Sequence, residues 1–328
     1  MTGAVKRPRL EDVAAEVGVS TASVSLVLRG VAGPSAETRE RVLAAAARLG
    51  YRADRSASLL ARRRSRLLGL PLVLRDAHRA ELAEELQLAA DGAGYVVALQ
   101  AVTPAHDEEW AVEALLDLRC EAVVLLSPTV PPAALAGLGA RVPLVVVGRQ
   151  VEPDGFDVVR VDDAHGVAAA VGHLRELGHR RIVHVDGGAE PTAVPRRAGF
   201  RSAAGPDARI VPGGYDEAAG AAAARALLDD LPTAVVAAND RAAIGLLDVF
   251  LREGVRVPGD VSVVGYDDSA LARLAHIDLT TVSQESAEQA RRAVAAAVAR
   301  LDGDAGPSET VLTPRLVVRG TTGPPRSP

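Results

Sequence analysis

Aromatic residues make up only 2% of this 328-residue chain, so a buried core has to be assembled from small aliphatic side chains. A single cysteine, Cys120, excludes an intramolecular disulfide and fits a reducing compartment. No uninterrupted run of about eighteen apolar residues occurs, which argues against a transmembrane helix. Lys6, Arg7 and Arg9 have no apolar stretch behind them, so no signal peptide is read. Enzyme signatures are also lacking. No Gly-x-Gly-x-x-Gly follows the first predicted strand, and there is neither a Gly-x4-Gly-Lys-Ser/Thr phosphate loop nor a Gly-x-Ser-x-Gly elbow. His173, His179 and His184 come nearest to a cluster. Their spacings of six and five fit no usual metal motif, and they read as surface or edge histidines. The expectation is a soluble, cytoplasmic protein with no cofactor, no metal, no catalysis and no membrane partner.

What is present is length, apolar content and an uneven charge. The length fits two or three domains, and 48% apolar residues are ample for their cores. The net charge of −5 divides sharply: residues 1–66 hold 13 Lys/Arg against 6 Asp/Glu, and the rest 24 against 36. A basic head on an acidic body points to a polyanion met by the head alone. Within the head, Leu10, Val13, Ala14 and Val17 recur at helical spacing up to Gly18. Ser20 is a good N-cap for a second helix with Val24, Val27 and Leu28 apolar. Ser35 can cap a third, packing Val42, Leu43, Ala46 and Leu49 inward and stopping at Gly50. Two short helices around a glycine turn are a helix-turn-helix, although spacing alone also fits a generic three-helix bundle.

The residues themselves favour the first reading. LEDVAAEVGVSTASVSLVLR followed by SAETRERVLAAAARLGYRADRSASLLA strongly resembles the head and hinge of the lactose-repressor (LacI/GalR) family. The resemblance implies phosphate contacts from Ser20, Ser23 and Ser25, and from Arg29 just past the helix. Thr21, Ala22 and Leu26 fall where the family reads base edges. Here they are smaller and less polar than is common, so readout should be poor in hydrogen bonds. Residues 54–61 resemble the hinge helix, with Arg55, Ala57 and the wedge leucine Leu60 in the minor groove. Seven or eight residues are too few to hold a helix alone, so folding on DNA makes physical sense.

Beyond Leu67, β-rich runs alternate with helical ones. Strands are predicted at 68–74, 95–99, 122–126, 144–147, 158–161, 182–185, 234–237 and 261–264. Helices are predicted near 78–92, 107–118, 163–177, 194–204, 215–230, 239–253 and 286–301. Such alternation gives parallel sheets, with ligands at the strand carboxyl ends. VDDAHGVAAAVGHLRELGHRRIVHVDG, AVVAANDRAAIGLLDVFLREGVRVPGDVSVVGYDD and LTTVSQ resemble the family's periplasmic-binding-protein-like sensor. This implies two α/β lobes, three crossovers and an effector in the cleft. By matching, the effector contacts are Arg196, Tyr215, Asn239, Asp267 and Gln284. Arg149, standing where a carboxylate is frequent, adds a further cation. Two arginines and few aromatics lean towards an anionic or strongly polar effector. Capping of helices or turns is the lesser alternative for Asn239 and Asp267, and Arg197 reads as a surface partner.

The predicted fold is thus an all-α helix-turn-helix head on an α/β two-lobed body. Its divisions are residues 1–53 for the head and 54–66 for the hinge and linker. Lobe 1 takes 67–161 and 285–312, and lobe 2 takes 162–284 and 313–328. The predicted function is a homodimeric regulator, a repressor on palindromic operator DNA, controlled by a small polar effector, a sugar or related metabolite, in the inter-lobe cleft. The alternative is an effector-binding α/β protein or enzyme whose head serves another role.

Overall fold

The computed structural model describes residues 8–28, 31–51, 64–205, 208–303 and 306–326. They form two compact units, Met1–Ser65 and Arg66–Pro328.

In the first unit, α1 (Leu10–Val17), α2 (Thr21–Leu28) and α3 (Ala36–Leu49) share one small core. Val13, Ala14, Val17, Val24, Val27, Val42, Ala45 and Ala46 fill it, with Leu10, Val19, Leu28, Leu49 and Tyr51 around the edge. The punctuation is local chemistry. Gly18 and Gly50 end α1 and α3 with positive φ angles of 73° and 65°, where side-chain-bearing residues are strained. The Ser35 Oγ accepts from the Thr38 amide at 3.2 Å. The unit is also stitched across elements, for Arg41 donates to the Val17 carbonyl at 2.7 Å and Arg48 pairs with Glu16 at 2.7 Å. Leu43, expected to pack inward, does not. Leu43 is half exposed and Ala45 takes its place, because one step from Val42 turns the side chain out of the stripe.

In the second unit, a six-stranded parallel sheet has the order β11-β5-β4-β3-β1-β2. Its strands are β1 (Leu67–Val73), β2 (Val96–Val102), β3 (Ala122–Leu126), β4 (Leu144–Val147), β5 (Asp157–Val161) and β11 (Glu309–Leu312). The interior strands β1, β3 and β4 are continuous apolar runs because helices cover both faces. The second sheet, β7-β6-β8-β9, joins β6 (Ile182–Val185), β7 (Ile210–Val211), β8 (Ala234–Ala237) and β9 (Ser262–Val264), all parallel. Beside it β10 (Thr281–Ser283) and β12 (Arg315–Val317) pair antiparallel.

The chain passes between the lobes three times. After β5 it enters the helix Asp163–Glu176, whose Val167, Ala170, Val171 and Leu174 join the second lobe's core. After β10 it enters the helix Ser286–Asp302, whose Ala290, Ala293, Val294 and Ala297 join the first lobe's core. After β11 it returns to β12. All eight predicted strands occur, four with the predicted bounds and four with ends displaced by one to three residues. Sequence reading missed β7, β10, β11, β12 and the helix Pro132–Gly139. The missed strands have two to four residues, and the edge strand β11 has no fully buried face to impose a pattern.

Two of the three histidines are a correction. His184 and His179 are buried, not superficial: His184 Nδ1 lies 2.9 Å from the Val236 carbonyl and His179 Nε2 2.8 Å from that of Gly323. Burial pushes the His184 pKa down to about 4, so it packs as a neutral ring, stacked against Phe200.

Candidate functional site

In each lobe the strand carboxyl ends point towards the gap between the sheets, and the loops there enclose a cavity of about 440 Å³. β1 delivers Asp76, His78 and Arg79; β3 delivers Ser127. On the other side β6 leads to Thr192 and Arg196, β7 to Tyr215, β8 to Asn239 and Arg241, and β9 to Asp267. Gln284 comes from the crossover after β10.

Arg196 is 4% exposed and lies in the helix Ala193–Ala204. Its Nε donates to Asp163 at 2.8 Å and its Nη1 to the Ala238 carbonyl at 2.6 Å. The guanidinium lies 3.7 Å over the Tyr266 ring and 5.8 Å from that of Tyr215. Burial works against its charge, but Asp163, Tyr215, Tyr266 and Asp267 outweigh that and raise its pKa. Asp163 escaped the sequence reading. The adjacent Asp162 caps the helix, accepting from the His165 amide at 3.0 Å, and the second carboxylate of the pair, redundant for capping, was the available signal.

Tyr215 presses on backbone that only glycine permits, since a Cβ at Gly187 would collide with its ring. Its hydroxyl accepts from Thr192 at 2.9 Å, and its carbonyl accepts from Asn239 Nδ2 at 3.2 Å. Asn239 Oδ1 caps the helix Asp240–Arg252 through the Ala242 amide at 2.9 Å while the residue lines the cavity. Asp267, at a φ of 126°, accepts from Gln284 Nε2 at 2.6 Å. Burial pushes its carboxyl up to about 7, with Arg196 pulling the other way. Asp240 beneath is also pushed up to about 7, by burial and then by Asp267. It accepts from the Ser269 amide and hydroxyl at 2.7 and 2.9 Å.

Arg149 is not brought to the cavity. Its Nη1 donates to the carbonyls of Pro128 and Val130 at 2.9 and 2.6 Å, which turns the guanidinium into a brace for that loop. The anionic-effector reading loses its basis with it. Each arginine on the cavity wall already has a carboxylate: Arg79 with Asp76 at 3.3 Å, Arg196 with Asp163 at 2.8 Å, Arg241 with Glu217 at 2.6 Å. Arg197 pairs with Asp186 at 2.6 Å, outside the cavity lining.

In the head, Ser20 to Leu26 occupy the cap and first two turns of α2. Thr21 and Ala22 are exposed, and Ser23, Ser25 and Leu26 half-buried. Ser20 Oγ accepts from the Ser23 amide at 3.1 Å, so it caps the helix and is half committed before any phosphate arrives. Arg29, Arg55, Ala57 and Leu60 lie outside the described residues.

A helix-turn-helix unit and a two-lobed binding-protein-like body with a polar cleft together define the ligand-responsive transcription regulators. Residues 9–54 match the lacI family of bacterial regulatory proteins and 171–322 the periplasmic binding protein-like domain. The regulator MalR of Streptomyces coelicolor is 36% identical over 96% of both chains. The lac repressor dimer bound to operator and the anti-inducer ONPF matches with a TM-score of 0.82, at 29% identity over 97% of this chain and 100% of its own. A CelR–cellobiose complex matches with a TM-score of 0.70, at 31% identity over 96% and 100%. This chain belongs to the lacI family: it is a DNA-binding transcriptional regulator, not an enzyme.

Proposed function

We propose that the protein is a cytoplasmic homodimeric repressor whose grip on a palindromic operator is set by a neutral, hydroxyl-rich effector, a sugar of one or two units. The observation that carries the effector class is charge balance in the cleft. Its arginines are all neutralised, while Asp267, Asn239, Gln284 and the Arg196 fork keep hydrogen-bonding capacity suited to vicinal hydroxyls. Tyr215 supplies a flat face for a sugar ring. A volume of about 440 Å³ accommodates such a ligand. The sugar held by the CelR relative supports the same class. No helix among the described residues is long and apolar enough to cross a membrane.

On DNA, Ser20, Ser23, Ser25 and Arg29 hold phosphates, Thr21, Ala22 and Leu26 meet base edges, and the hinge residues Arg55, Ala57 and Leu60 enter the minor groove. Residues 1–53 act as the head, 54–66 as the hinge and linker. The two lobes comprise 67–161 with 285–312, and 162–284 with 313–328. One head covers half a palindrome, so two chains are needed. An apolar groove of about 700 Å³ with Ile244, Leu247, Leu251 and Ile277 offers the second lobe a self-association face; Leu251 is 79% exposed. The dimeric lac repressor relative favours that assembly.

The test is selection of binding sites from random duplex DNA at two salt concentrations, with and without a panel of mono- and disaccharides. A palindrome with a flexible pyrimidine–purine step at its centre, released or tightened by one sugar, is the expected result. Enrichment of a single half-site would overturn the dimer, and a response only to anionic metabolites would overturn the effector class.

A further inference from the structure

The helix Ala77–Gly92 begins at the cavity with Asp76 and His78, and one turn later it presents Glu81 to the opposite lobe. Glu81 Oε1 accepts from the Ala270 amide at 2.5 Å, and Oε2 accepts from Arg273 Nη2 at 3.3 Å. Ala270–Arg273 is a short 3₁₀ turn of the second lobe that starts three residues after Asp267. That turn is tied down from behind. Arg273 also donates to the Asp268 carbonyl at 2.5 Å, Ser269 is held by Asp240, and Ala272 is fully buried. Beside the contact lies an interlobe pocket of about 420 Å³. Glu81, Glu84 and Glu85 wall it from one lobe and Asp267 and Asp268 from the other, with Glu285 at the crossover. Among the described residues, Arg273 is the one basic residue in its lining. Two acidic faces brought together repel; Arg319 already pairs with Asp268 and Arg315 with Glu285, and Arg273 is the guanidinium that reaches across to Glu81 and makes the contact attractive.

We propose that Glu81 and the Ala270–Arg273 turn form a clasp that holds the two lobes closed before any effector arrives, so that Glu81 and Arg273 set the resting population of the closed cleft. Glu81 supplies the N-terminal acceptor of the turn as well as the counter-charge, which makes it a positioning residue for the loop that carries Asp267. An effector that favours the closed form then meets a protein already biased towards it, and loosening the clasp costs affinity without touching the ligand. The proposal rests on the cleft reading only for that consequence. Its test needs no ligand, so failure of the clasp and failure of the effector assignment are separable.

The experiment is hydrogen exchange by mass spectrometry on the full, ligand-free chain, read in peptides spanning 77–84 and 268–275. One half-exposed ion pair and one backbone hydrogen bond correspond to an increase in exchange of about fivefold in both peptides for Glu81→Ala. Glu81→Gln, which keeps an acceptor for the Ala270 amide, should move them by about half as much on a logarithmic scale. Arg273→Glu should exceed Glu81→Gln, and adding Glu81→Arg to it should bring exchange back towards wild type. Wild-type exchange in Glu81→Ala would overturn the clasp. So would an increase spread over the whole six-stranded sheet, or a charge-reversed pair no better than Arg273→Glu alone.

Discussion

Asp267 shows how much one carboxylate can be asked to do. It is buried, its backbone is held at a φ of 126°, and its side-chain partner is the amide of Gln284. With a folded pKa of about 7 against an ordinary 3.8, its contribution to stability is present below about pH 4 and lost as pH rises through 7. Asp267→Asn should therefore raise the melting temperature of the ligand-free protein relative to wild type at pH 8, the difference shrinking towards pH 4. A lower melting temperature at pH 8 would contradict the assignment. The same variant should weaken sugar binding by about 10- to 100-fold in calorimetry, since a charge-assisted acceptor is lost. Wild-type affinity for the effector should fall as pH drops below about 7. Arg196 is a poorer probe of the cleft. Removing it strands Asp163, 4% exposed, without its counter-charge, so Arg196→Ala should lose about 3–5 kcal/mol in urea unfolding besides any effector response. Gly187→Ala is more selective: it should shift the Tyr215 ring and weaken sugar binding while leaving operator affinity unchanged.

At the scale of elements, small residues let the second lobe close around its sheet. The helices Glu217–Leu227 and Asp240–Arg252 cross through a pair of glycines. A Cβ on Gly220 would strike the Ala242 carbonyl, and one on Gly245 the Glu217 carbonyl. Gly220→Ala should thus cost about 1–3 kcal/mol of stability by overpacking, although alanine is the better helix former. An unchanged or higher unfolding midpoint would mean that the helices separate freely. These glycines are unremarkable in sequence, embedded in alanine-rich runs, and only the crossing explains them. In the head the opposite holds. Ser20, Gly18, Ser35 and Gly50 mark the ends of α1, α2 and α3 through local hydrogen bonds and positive φ, so those boundaries were legible from the chain. Leu43 was not, because whether an apolar side chain one step off the stripe is buried depends on what packs beside it.

For the whole molecule, two sheets face each other across a cleft whose walls come from segments as distant as Asp76 and Gln284. Leu251→Arg, on the exposed apolar face of the second lobe, should shift the protein from dimer to monomer in light scattering and weaken binding to a full palindrome more than to a half-site. Dimers persisting with Leu251→Arg would place the interface elsewhere. The chain read alone yields the three head helices, the eight main strands and the alternation that makes the sheets parallel, while its family resemblance singles out Arg196, Tyr215, Asn239, Asp267 and Gln284, which line the cleft. Each is written in local pattern or in a motif carried whole by a short stretch of chain. That Arg149 braces a loop, that Asp163 neutralises Arg196 and that Glu81 reaches Ala270 and Arg273 follows from the folded arrangement alone. Charge and hydrogen-bond partners are chosen by distance in space, and a chain read in order holds no measure of the separation between residues 81 and 273 once the lobes have folded.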